Sequence, residues 1–137
     1  MGEALRIPGY SLLVLGLLGC AVSYNPEPVR HATPLPADAF QKVVEVVSLR
    51  FRRLIVVDPA EFRIQTDWIP FQRGDTPGEK RATVFRDESG RLQVLVEVRS
   101  FSLGQDALVV SPTYGDRRSE EELAGAIEDI LAAPIRT

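Results

Sequence analysis

Cys20 is the one cysteine of the chain, and it closes the first apolar run in the tetrapeptide Leu17-Leu18-Gly19-Cys20. That order has the form of a bacterial lipobox. The chemistry it supports is thioether acylation by a diacylglycerol, followed by peptidase cleavage before the cysteine. The preceding residues suit the role: Met1 to Arg6 form a short n-region, Tyr10 to Leu18 an apolar h-region, and Gly19 is the small residue at the cut. The run is shorter than the ~20 apolar residues a membrane-spanning helix needs. Ala21 follows the cysteine where an aspartate would favour inner-membrane retention, which points to the outer membrane, facing the periplasm.

Little else in the sequence has the spacing of a reaction centre. His31 is the sole histidine and lies in a proline-rich stretch, away from any rigid shell. The carboxylates Asp58, Asp67, Asp75, Asp87 and Asp116 are scattered over turns and strand ends. None stands at triad or metal-ligand spacing from a histidine or cysteine. Ser111, Ser119 and Thr66 have no identifiable base, and no glycine-rich phosphate loop is present. The reading is therefore no enzyme, no metal and no cofactor. A net charge of −3 also argues against nucleic acid as a partner.

The elements that position these residues follow from periodicity. Residues 20–36 carry Pro26, Pro28, Pro34 and Pro36 and read as an extended tether after the lipidated cysteine. At about 3.1 Å per residue, the 14 residues from Tyr24 to Ala37 within it reach roughly 40 Å. The remaining residues, 37–137, suffice for one domain with a modest core. Phe40, Val43, Val44, Val47, Phe51 and Leu54 make one helical stripe, with Asp38 at its start and Arg50, Arg52 and Arg53 as a solvated end. Leu54 to Val57 is a short strand. Phe62, Ile64, Thr66 and Trp68 alternate with Arg63, Gln65 and Asp67 in a second. Pro70 and the run Arg73 to Gly78 read as a break. Strands follow over residues 81–86 and 92–101, joined by the turn Asp87-Glu88-Ser89-Gly90, and Leu108 to Val110 reads as one more short strand. Ser119 and Glu122 form a capping-box pattern before Leu123, Ile127, Ile130 and Leu131, and Pro134 ends that helix.

This order predicts an α+β two-layer sandwich. Its sheet is expected to have three to five largely antiparallel strands, with two helices on one face. The expected core joins Phe40, Val44, Val47, Ile64, Trp68, Val94, Val96, Leu123, Ile127 and Ile130.

The central segment is similar to a family of uncharacterised bacterial envelope lipoproteins. The residues that carry this are Asp58-Pro59, then Ile64 to Trp68, then Glu79-Lys80-Arg81 opening a strand, and the Val94, Val96, Val98 run. The family motif is D-P-x-x-G-x-I-x-T-D-W. Phe62 stands at its glycine, which leaves the turn at residues 59–62 open to a different shape. The element order also resembles the helix-grip domains of BamC, a lipoprotein of the outer-membrane β-barrel assembly machine, without shared motifs. Fold likeness of that kind does not transfer function.

If both helices cover the apolar sheet face, Arg63, Asp67, Leu95, Glu97 and Arg99 share the open one. Charges of both signs around an apolar residue suit a protein partner. The expectation is a non-enzymatic envelope interaction module, held to the membrane by lipid on Cys20, with these five residues contacting an envelope protein. The alternative is a lipid- or hydrophobe-binding module using a groove between helix and sheet, which would need a cavity of about 300 Å³ or more lined by core residues.

Overall fold

A computed structural model describes residues 25–133. Cys20, the signal segment and Pro134 lie outside the described residues. The elements run β1 (Glu27–Pro28), α1 (Ala39–Phe51), β2 (Leu54–Asp58), β3 (Arg63–Thr66), β4 (Ile69–Arg73), β5 (Thr76–Arg86), β6 (Leu92–Leu103), β7 (Leu108–Val110), β8 (Tyr114–Gly115) and α2 (Arg117–Ala132).

The fold is α+β with two helices and a large antiparallel sheet, but the sheet has eight strands rather than three to five. The difference lies in how the long strands are used. β5 and β6 pair from Gly78–Ser100 to Arg86–Leu92. Each then serves several short partners end to end. β3 and β4 share the far side of β5, and β1, β8 and β7 share the far side of β6. The two-residue strands β1 and β8 carry too little alternation to be read from sequence.

The expected break at residues 70–78 is a hairpin. Only Gly74 and Asp75 separate β4 from β5, and Gly74 has φ +59°, as a tight hairpin requires at its first central residue. Pro70 is tolerated because β4 is an edge strand, and Pro77 sits one residue outside the β5–β6 ladder.

The core lies between the sheet and both helices. Ala39, Val43, Val47 and Phe51 from α1 and Leu123, Ala124 and Ile127 from α2 meet Ile64, Ala82, Val84, Val94 and Val96. α1 thus buries the stripe through Val43, with Phe40 and Val44 flanking it. α2 begins three residues earlier than the capping box predicts. Asp116 is its N-cap residue, and the Ser119 hydroxyl donates to the Asp116 carboxylate at 2.7 Å.

The chain also joins the domain earlier than the tether expectation places it. β1 pairs with Val94 and Gln93 of β6, Val29 is buried, and the Val29 N–H donates to the Leu92 carbonyl at 2.9 Å. His31 has a structural task, its Nε2 accepting the Leu92 N–H at 3.1 Å.

Two bulky residues hold left-handed backbone. Arg52, at φ +65° and ψ −56°, forms a γ-turn after α1, with the Arg53 N–H on the Phe51 carbonyl at 2.7 Å. Phe62 has φ +51° in the turn after β2, the conformation a glycine would supply without cost. Its ring is nonetheless buried, edge-on to Phe40 at 5.0 Å.

Candidate functional site

The sheet face opposite the helices is set by the β5–β6 register. Ala82–Val96 and Val84–Val94 point to the core, so Thr83–Leu95, Arg81–Glu97 and Glu79–Arg99 point away from it. The face is a charge lattice. Arg81 holds Glu97 in a two-pronged contact, Nε–Oε1 at 2.8 Å and Nη2–Oε2 at 3.4 Å. One position along, Arg99 pairs with Glu79. Beside them Gln65 donates to the Thr83 hydroxyl at 3.0 Å, next to Leu95.

Trp68 completes this face and corrects the expected core. The strict alternation read from Phe62 to Trp68 fails after Thr66. Asp67 leaves the ladder: its N–H donates to the Arg53 carbonyl at 2.9 Å, and its Oδ1 accepts the Trp68 N–H at 2.8 Å. This local turn inserts one step, so that Thr66 and Ile69 both face the core and Trp68 faces away. The indole then lies over two guanidinium groups, Arg99 at 4.1 Å and Arg81 at 4.6 Å from its centroid. Planar guanidinium stacks well on an aromatic face while its N–H edge stays free for carboxylates. The four charged side chains are consequently only 12–34% exposed, although no helix covers them.

The structure thus brings Leu95, Glu97 and Arg99 together, with Arg63 on the same face further along β3, opposite Phe85. Asp67 does not join them. Its carboxylate is drawn to Arg53, 3.5 Å away at the end of α1, because the turn that ejects Trp68 rotates Asp67 with it. Trp68, Arg81 and Glu79 are the members that sequence reasoning missed. Arg81 and Glu79 were legible by counting two and four residues back from Thr83 once β5 was extended through Pro77. Trp68 had no sequence signal, because a single irregular step reverses the face.

Elsewhere, a cleft of about 530 Å³ lies between the β4–β5 hairpin and the start of α2. Arg73, Lys80, Asp116, Arg118 and Glu122 line it, with Phe71. Lys80 sits over Phe71 at 5.0 Å and Phe51 at 5.4 Å, and Arg73 pairs with Asp116 at 3.1 Å. Glu120 is buried beside this helix start. Its Oε2 accepts the Val96 N–H at 3.0 Å and fills the gap in the β6 edge between β1 and β8. Burial pushes its pKa up, against the opposing pull of the Val96 N–H and Arg117.

Among the described residues no three His, Cys, Asp or Glu side chains converge in a way that could hold a metal ion. Thr66, considered above as a nucleophile, is structural: its buried hydroxyl accepts the Ala82 N–H at 2.9 Å. Comparison with protein-family models, with curated proteins and with solved structures finds no match to this chain.

Proposed function

We propose that the chain is a lipid-anchored envelope protein whose open sheet face docks a protein partner, without catalysis. The observation that carries this is the Trp68 indole stacked on Arg81 and Arg99, on the face the helices leave uncovered. Tryptophan and arginine are the residue types that dominate binding hot spots. Here they are pre-positioned, so a partner would not have to order them. Leu95 adds an apolar contact beside them, and Glu79 and Glu97 set the charge pattern. The outer-membrane location is part of the same proposal and rests on Cys20 and Ala21 in the sequence. The 530 Å³ cleft is lined mainly by charged side chains, which favours this reading over a hydrophobe-binding groove.

The test uses a photo-crosslinking residue at Leu95 in the full chain, expressed in cells. A discrete adduct with an envelope protein is expected, and Trp68→Ala should abolish it. Since Trp68 packs on guanidinium groups rather than in the core, its truncation should cost about 1–2 kcal/mol. A core tryptophan would cost about 3–5 kcal/mol. Adducts that persist in a folded Trp68→Ala variant would refute the docking face. Separately, Cys20→Ala should leave an unprocessed or soluble chain; membrane retention after a high-salt wash would refute the anchor.

A further inference from the structure

The far end of the sheet carries an apolar arm that the docking face does not use. Beyond Gly78, β6 runs on to Leu103 and turns back as β7. The register pairs Phe101 with Val110 and Leu103 with Leu108, so these four side chains share one face of the arm. Leu103 is 89% exposed, Leu108 59% and Val110 48%. So much apolar side chain in solvent on two paired strands is a surface awaiting a cover.

The path of the N-terminal chain indicates what covers it. β1 is antiparallel to β6, with Glu27 opposite Val94. Traced backward from Glu27, the strand direction points along β6 toward Val98 and the arm. Asn25 accordingly lines a small cavity with Gly115, the residue that pairs with Glu97. Phe101 lies four residues further along β6, or about 13 Å at strand rise. Cys20 precedes Asn25 by five residues, a reach of at most about 18 Å. A lipid on Cys20 therefore holds Asn25 within about 18 Å of the bilayer surface and leaves the arm, about 13 Å further along β6, within reach of that surface.

We infer that the Phe101, Leu103, Leu108 and Val110 face of the arm lies in the bilayer interface beside the lipidated N-terminus, as a second membrane contact. The inference rests on the proposed lipid anchor. Asp106, in the turn between the strands, limits the arm's depth to the headgroup layer and its boundary with the acyl chains. The contact fixes orientation: the sheet stands on its arm, with the Asp87–Arg91 turn farthest from the membrane and the Trp68 face accessible from the side. A second anchoring contact also turns a single tether point into a defined pose.

The test takes the full lipidated chain in phosphatidylethanolamine–phosphatidylglycerol vesicles. An environment-sensitive fluorophore is placed on Leu108→Cys, or on Glu88→Cys in the distal turn. A blue shift and loss of emission to nitroxide-labelled lipid are expected at position 108 and neither at position 88. A chain that does not float with vesicles refutes the anchor, and this inference with it. A chain that floats while position 108 behaves like position 88 refutes the arm contact alone. Spontaneous disulfide dimers of Leu108→Cys in detergent, at the expense of the lipid signal, would assign the arm to a second copy of the chain and overturn the inference.

Discussion

Phe62 offers the sharpest check on the physical account, because its backbone and side chain pull in opposite directions. The ring is 4% exposed and packs edge-on against Phe40. Truncating a buried phenylalanine costs about 3–5 kcal/mol. The backbone, at φ +51°, is in the left-handed region, which costs a residue with a Cβ about 1–2 kcal/mol relative to glycine. Phe62→Ala loses the ring and keeps the strain. Phe62→Gly loses the ring and relieves the strain, less the extra freedom glycine gains in the unfolded chain. Both variants should be destabilised, and the glycine variant should be the more stable by about 1 kcal/mol. In most strands and helices the order is the reverse. For a domain of this size 1 kcal/mol corresponds to about 4–8 °C in Tm, well within reach of thermal melts followed by circular dichroism. An alanine variant as stable as the glycine variant, or more so, would refute the strained turn.

Other outcomes follow from the same geometry. Burial raises the pKa of Glu120, so the folded state binds its proton more tightly than the unfolded chain does. Its contribution is most favourable in acid and is lost as pH rises from the ordinary carboxylate range through the raised pKa. Glu120→Gln, which can still accept the Val96 N–H, should flatten that part of the stability–pH curve in urea titrations and stabilise the domain at the alkaline end. Asp87 runs the opposite way. Hydrogen bonds from the Ser89 hydroxyl, then Gln93, hold its pKa down to about 2. The stability it gives the β5–β6 turn is present above the ordinary carboxylate value and fades as pH falls toward 2; Asp87→Ala should remove that acid limb. Gly78→Ala would place a Cβ 2.4 Å from the Arg99 carbonyl oxygen, so it should open the ladder at the root of the arm. Faster amide exchange around the Gly78–Ser100 pair, with the turn at residues 87–91 unchanged, would register it.

What the sequence determined by itself was local and periodic. The stripes of α1 and α2 and the alternation of β6 follow from side-chain order alone, since helix and strand periods need no knowledge of neighbours. Those patterns assign Val94, Val96, Leu123 and Ile127 to the core and Leu95, Glu97 and Arg99 to the other face. The tertiary structure decided what depends on register and on single irregular steps. Arg81 meets Glu97, and Arg99 meets Glu79, only because β5 and β6 pair at one offset among several that the alternation permits. Trp68 left the core because Asp67 found closer partners in Arg53 and in the next N–H, and one displaced residue in a strand reverses every side chain after it. β1 and β8 exist because β6 is longer than any one partner and its free edge needed hydrogen bonds. In a chain whose apolar pattern was plain, the composition of the exposed face was set by backbone hydrogen bonds between residues far apart in the sequence.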